Sequence, residues 1–575
     1  MNRLLPPCIR LASSIALCAA VLAGCGGGGG SGGVGGNPPT PTPPATSVVV
    51  TGTVSYQRVP FKATAGTGLN PNSPVQLPVH DAVLEALSET GTLLAQTTTD
   101  AAGFYSVTLN AGTNVKIRVK AQSLKTGAAP TWNFRVLNNT NSDALYVLDS
   151  TVFSTGTVAT SAGHDLLAAS GWTGTNYTAT RAAAPFAILD TVLRAKELVV
   201  SASAAAVFPP LDLYWSPTNI DSTGALCPDT GNIGTSFYIG SGGVDECAAP
   251  QSLPAGIYIL GAFASDTDEF DQHVLAHEFG HYIEDQFSRS DSIGGIHGPS
   301  DRLDLRVAFG EGWGDAFSGM TLNDPVYRDS QAMVASDFGF NFETDSTASE
   351  GWFSESSVSE ILWDIFDGAN EPGDTVALGF PPIFAVMTGA QKDTDALTSI
   401  FPFANALRSA NPGASGAIGV LLADENISGT DAFGAGEGND ADDPNLLPVY
   451  TNIDLGTQKS VCSRNKFGSK FDVRGVGNKL GNRTFLRFDN DAPRNIVVTA
   501  IGATNGGGTV AATDPDIIVW RRGAVIVRAE GSTVGSETST MTAFTAGTYI
   551  IDVFDYALTG TNTASRCMTV SVTGS

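Results

Sequence analysis

One segment constrains this chain more than any other: Asp271-Gln272-His273-Val274-Leu275-Ala276-His277-Glu278-Phe279-Gly280-His281-Tyr282-Ile283-Glu284. Val274, Phe279, Ile283 and, just beyond, Phe287 recur at helical spacing, which predicts a buried helix. Side chains on a helix advance by about 100° per residue, so His277 and His281 share one face, one turn apart, as two ligands of a tetrahedral metal require. Glu278 then stands beside such a metal, placed to take a proton from a water without being a ligand itself. With 6 His and 57 acidic residues in 575 positions, chance yields an H-[DE]-x-x-H only about 0.006 times. A metal held by two histidines needs a third protein ligand and an open water position. Downstream, Gly310-Glu311-Gly312-Trp313-Gly314-Asp315 puts Glu311 and Asp315 at i,i+4 on one helix face, among glycines that allow close backbone approach. Glu311 as third ligand and Asp315 as acceptor for a ligand imidazole would complete the set. His273, one turn before His277, would close the water position as a fourth ligand and reads as a supporting or surface residue.

With 575 residues and 42% apolar content the chain can bury several cores, and about three domains are expected. Charged residues are sparse at 15%, and 65 Gly and 30 Pro break the chain often, which excludes a coiled coil or helical solenoid. A net charge of −26 without a basic cluster removes any electrostatic basis for nucleic-acid binding.

Arg3 and Arg10, an apolar run from Leu11 to Leu22 and then Leu22-Ala23-Gly24-Cys25 read as a secretory signal over 1–24. Cys25 at the cleavage point resembles the bacterial lipobox, which implies diacylation of its thiol and attachment to a membrane by lipid. Residues 25–46, with Gly26 to Gly30 and a Pro-rich 37–44, would be the tether. No later stretch reaches the roughly 20 apolar residues that spanning needs. With Cys8 and Cys18 removed and Cys25 lipidated, four cysteines remain, and an oxidising compartment suggests the pairs Cys227–Cys247 and Cys462–Cys567.

Residues 47–165 alternate short strands with turns; Val115-Lys116-Ile117-Arg118-Val119-Lys120 has the strict period-two pattern of a half-buried strand. Thr99-Asp100-Ala101-Ala102-Gly103-Phe104-Tyr105 resembles the turn of carboxypeptidase-regulatory-like β-sandwiches. Over 180–455 helices join: one opened by Pro185 and one over Ser357–Phe366, with strands at Leu211–Ser216, Ser236–Gly240 and Gly256–Phe263. After 456 strands return, with a hairpin around Arg522-Gly523. Asp514-Pro515-Asp516-Ile517-Ile518-Val519 and Ala546-Gly547-Thr548-Tyr549 resemble bacterial pre-peptidase C-terminal domains. The expected fold is multidomain: a central α+β domain flanked by two all-β sandwiches.

His277-Glu278-Phe279-Gly280-His281 followed by Gly310-Glu311-Gly312-Trp313-Gly314-Asp315 resembles the gluzincin zinc metallopeptidases, nearest the fungalysin type, whose second motif carries Ser where Gly314 stands. The likeness extends to Leu362-Trp363-Asp364. It implies zinc held by His277, His281 and Glu311, Glu278 as general base and Asp315 orienting an imidazole. It also implies that the strand Ile257, Tyr258, Ile259, Leu260, Gly261, Ala262 is a sheet edge along which a peptide substrate lies. Thermolysin-like enzymes carry a later oxyanion-stabilising His, whereas no His follows His297 here, so His297, Tyr327 and Arg328 are the candidates. Two acidic groups, Asp266, Asp268, Glu269, Asp271 and Glu437, Asp440, Asp442, Asp443, have the oxygen density that calcium uses; for the first, helix capping is the alternative. The expected function is a lipid-anchored, extracytoplasmic zinc endopeptidase acting on proteins or peptides. The alternative is a surface adhesin or glycan-binding lipoprotein with a structural or inactive metal site.

Overall fold

The computed structural model describes residues 46–574 except 223, 241–243, 246, 248–250, 332, 345–348, 369–373, 430, 440–446, 469–476, 503–512 and 559–564. Cys25 and the leader lie outside the described residues, as do Asp440, Asp442 and Asp443.

The alternation read at 115–120 builds the first sandwich. Val115, Ile117 and Val119 are fully buried. On the opposite face Lys116 and Arg118 both meet Asp149, at 2.8 and 2.7 Å, and Lys120 meets Glu85. Their strand, Asn114–Lys125, pairs with Ala82–Ser88 on one side and Trp132–Asn138 on the other. The sheet does not stop there. Leu211–Trp215 adds in parallel to Trp132–Asn138, then Gly256–Ile259 in parallel to Leu211–Trp215, then Phe237–Ile239 antiparallel at the end. One sheet therefore runs from the first sandwich into the central part, and a single apolar core follows it from Val50 through Leu189 and Phe279 to Phe403.

Helix α1 (Ala184–Ala202) begins at Pro185, whose missing N–H costs nothing in a first turn, and buries Phe186, Leu189, Val192 and Leu193 in that core. Three further helices position the site: α2 (Gln272–Phe287), α3 (Leu305–Leu322) and α4 (Glu355–Phe366). Ser354 caps α4 by accepting from the Ser357 N–H at 3.3 Å. Glycine decides how closely the three helices pack. A Cβ on Gly280 would come within 3.2 Å of the Gly314 Cα, and one on Gly312 within 2.6 Å of the Glu355 carbonyl oxygen and the Val358 Cβ. The indole of Trp313 donates to the Gly280 carbonyl at 2.9 Å across the α2–α3 contact.

The last part is a sandwich of two sheets, five and four strands, with its own core of Val461, Leu486, Val498, Ile551 and Val570. The expected hairpin is present: Pro515–Arg521 pairs with Ala524–Ala529, and Arg522 and Gly523 both have positive φ, as a tight two-residue turn requires. Both disulfides form, Cys227–Cys247 and Cys462–Cys567. The chain is thus multidomain and dominated by sheet, with its helices gathered in the middle. Among the described residues no helix is long and apolar enough to cross a membrane.

One expectation is corrected. The strand containing Ile257, Tyr258 and Ile259 is interior, with Leu213, Tyr214 and Trp215 opposite it on one side and Phe237 and Tyr238 on the other. Ile257, Tyr258, Ile259 and Leu260 are all buried, and the N–H groups of Gly261 and Ala262 donate to the Asn219 carbonyl at 3.1 and 2.9 Å. Among the described residues, the sheet ends at Phe237–Ile239.

Candidate metal centre

The predicted helix brings His277 and His281 to one side of α2, and α3 crosses there. The Nε2 atoms of the two imidazoles stand 3.0 Å apart, and Oε2 of Glu311 lies 3.3 Å from that of His277 and 3.2 Å from that of His281. Tetrahedral zinc at about 2.05 Å from each donor separates its ligands by about 3.3 Å, so this triangle fits one ion. Two ring nitrogens facing one another at 3.0 Å repel unless a cation or a shared proton lies between them. The donor set, two imidazoles and a carboxylate, is that of a borderline-soft divalent metal.

The tautomer of His277 is settled by its neighbour: Nδ1 donates to Asp315 Oδ1 at 2.8 Å, leaving the Nε2 lone pair for a metal. Gly314 makes the approach possible, since a Cβ there would stand 2.8 Å from the His277 ring. Behind Asp315, Ser318 spends its hydroxyl proton on the Asp315 carbonyl, so Nδ1 of His273 donates to Ser318 Oγ at 2.9 Å. His273 is therefore buried behind the centre, and burial lowers its pKa.

Glu278 is buried on the side of α2 that faces the sheet end and accepts the Tyr238 backbone N–H at 2.6 Å. Burial raises its pKa above the ordinary carboxylate value, against the pull of His277 and His281, which suits a group that must accept a proton near neutral pH. For Glu311 burial also works against the charge, yet His297, His281 and His277 outweigh it and hold the carboxyl well below its usual range.

Of the residues named as oxyanion candidates, His297 reaches the centre. Its Nδ1 donates to the Gly295 carbonyl at 3.0 Å, and its Nε2 lies 3.3 Å from Glu311 Oε2 and 3.9 Å from Glu355 Oε2. The Tyr327 ring stands 6.4 Å from that of His277 and stacks on Phe340. Arg328 turns away, donating to the Lys62 carbonyl at 3.4 Å and covering the Phe61 ring. Glu355 was not readable as part of the site: in sequence it is only the acid that opens α4, and it arrives through the α3–α4 packing. The Tyr238 N–H is a backbone group and has no sequence signature.

His277, His281 and Glu311 thus form one group able to hold a metal ion, and Asp266, Asp268, Asp271 and Asp329 form another. Glu269, expected with the second group, instead pairs with Arg181 and accepts from the Trp215 indole at 3.2 Å. Glu437, from the other acidic stretch, accepts the Ser428 hydroxyl at 2.9 Å.

No protein-family profile and no curated protein matches this chain. Several solved structures resemble parts of it. The pre-peptidase C-terminal domain of a Bacillus anthracis collagenase is 12% identical, with 22% of this chain and 99% of that one covered and a TM-score of 0.15. A periplasmic inhibitor of g-type lysozyme from Aeromonas hydrophila is 15% identical, covering 21% and 96%, with a TM-score of 0.14. A surface-associated copper-binding protein of Methylomicrobium album is 9% identical, covering 22% and 98%, with a TM-score of 0.17.

Proposed function

We propose that the chain is a zinc-dependent endopeptidase of gluzincin type, exported and held to a membrane by lipid on Cys25. The observation that carries this reading is the triangle of His277, His281 and Glu311 donors with a buried Glu278 beside it that forms no ion pair among the described residues. Zinc bound there would supply the Lewis acid that polarises a carbonyl and acidifies a water. Glu278 takes the proton of the attacking water, which its raised pKa favours, and returns it to the leaving amine, a stronger base than the carboxylate. Asp315 keeps His277 in the tautomer that ligates. His297, with Glu355 behind it, is the donor best placed to meet an oxyanion. The edge at Phe237–Ile239 offers backbone groups to an extended peptide next to Glu278, recognition that disregards most side chains.

The test is hydrolysis of casein by the full chain. Activity that a chelator abolishes and zinc restores supports the reading. His281→Ala then loses the metal, while Glu278→Gln keeps it and falls by about 10² to 10⁴ in turnover. Loss of zinc from Glu278→Gln would make Glu278 a ligand and overturn its assignment as base. Zinc bound without any chelator-sensitive hydrolysis would leave the adhesin with a structural metal as the better account.

A further inference from the structure

We propose that Asp266, Asp268, Asp271 and Asp329 hold a calcium ion that pins the start of α2 to the strand Val326–Gln331. One carboxylate oxygen of each lies within 4.8 Å of the others. Calcium takes oxygens at about 2.3–2.6 Å, so ligands on opposite sides of the ion are about 4.6–5.2 Å apart and the four fit around one centre.

Acidic side chains gather in many proteins without binding anything; here the arrangement of their oxygens points to a ligand. Asp271 is 0% exposed and Asp268 is 3%. On each, one oxygen is held by a donor. Asp271 Oδ2 accepts the Ser330 N–H at 2.9 Å and its hydroxyl at 2.6 Å, and Asp268 Oδ2 accepts the Ser236 hydroxyl. The second oxygen of each, Oδ1, is buried without a hydrogen-bond partner, and so is Oδ1 of Asp329. Serine donors thus set the orientation of two carboxylates while leaving one oxygen on each free. Asp266 spends an oxygen on the Thr267 N–H at 2.8 Å.

Two other roles for the cluster are not realised. Asp271 is the residue before α2, yet its side chain makes no capping bond. No Lys or Arg forms an ion pair with any of the four among the described residues, whereas Glu269, between them in sequence, has Arg181 as partner. Burial raises the pKa values of all four, and repulsion from their neighbours in the cluster adds to this for Asp266, Asp268 and Asp271. An all-carboxylate shell selects a hard cation, and a site assembled from a turn and a separate strand suits the flexible coordination of calcium over the strict octahedron of magnesium.

The ion would act on the centre described above by position. Asp271 accepts from the Leu275 N–H through its carbonyl and so starts the helix that carries His277 and Glu278. Asp329 sits in the strand that also carries Tyr327, beside His277.

The full chain is stripped with a chelator, reloaded with one equivalent of zinc and dialysed against calcium up to about 1 mM, the range in which extracellular calcium modules fill. Metal analysis should find calcium bound one-to-one, with a rise in Tm of about 2 °C or more. Asp271→Asn and Asp329→Asn should lose both effects. In chelator alone Asp329→Asn should be at least as stable as the parent, because it removes a like charge; that result separates a lost ligand from a damaged fold. Parent protein that binds no calcium at about 1 mM, or variants that still bind it one-to-one, would overturn the site. Equal protection by magnesium would overturn the choice of ion. No readout depends on hydrolysis, so failure of the peptidase reading leaves this test intact.

Discussion

His277 shows how much a single residue depends on its surroundings. Its Nε2 faces the other two donors only because Asp315 takes Nδ1 and because Gly314 presents no side chain to the ring. Asp315→Ala should therefore leave all three ligands in place and still weaken zinc binding by about 10- to 100-fold, the usual cost of losing such a partner. A competition titration with a chromogenic chelator measures this, and unchanged affinity would mean that α2 packing alone orients the ring. Residues of this kind were legible in the sequence because the four main ones come as two i,i+4 pairs, each within a turn of one helix. Glu355 and Asp329 were not, and His297 was legible only as one of three oxyanion candidates, since each meets the site through tertiary packing and has no spacing to betray it. Glu269 misled for the same reason: its neighbours in sequence form the acidic cluster, yet burial gave it Arg181.

At the level of elements, periodicity located α1, α2 and α4 and the alternating strand at 115–120, because one-sided burial writes its period directly into the sequence. It could not give the order of strands in a sheet. Gly256–Ile259 is apolar on both faces, a pattern shared by interior strands and by edges covered with helices, and the structure places it between two neighbours. Replacing Ala262 by Pro thus removes the N–H that donates to the Asn219 carbonyl, a bond that closes the end of an interior strand. We expect loss of about 1 kcal/mol of stability, the net worth of one hydrogen bond, since the Asn219 carbonyl keeps the Gly261 N–H. The measurement is thermal or denaturant unfolding of the zinc-loaded chain. A variant of parental stability with weakened hydrolysis of long peptides would show instead that Ala262 meets substrate.

Over the whole molecule, the C-terminal sandwich is fastened to helix α3 by buried charge. Asp552 is fully buried and accepts from Arg306 at 3.2 Å and from Arg483 at 2.9 Å. Arg306 is itself fully buried and lies on α3, the helix that carries Glu311; Asp304 binds its other nitrogens at 2.8 and 2.9 Å. The Arg522–Gly523 turn adds a second fastening: Arg522 pairs with Asp395 at 2.7 Å, and a Cβ on Gly523 would strike Arg289, just after α2. Local sequence patterns carry no information about which buried cations await a distant carboxylate. Removing one partner of a buried ion pair strands the other, at a cost of about 3–5 kcal/mol. Asp552→Ala takes a shared carboxylate from two arginines, one on each side of the contact; Arg306 keeps Asp304, so the cost falls toward the lower end of that range, and because Arg306 lies on α3 the effect should reach the metal centre. We expect calorimetry of the zinc-loaded variant to show the sandwich and the helical part unfolding together at a lower temperature, with zinc released in the same transition. Two separate transitions, the zinc-holding one at its parental temperature, would show that the sandwich folds by itself and that the arginines find water when Asp552 is gone.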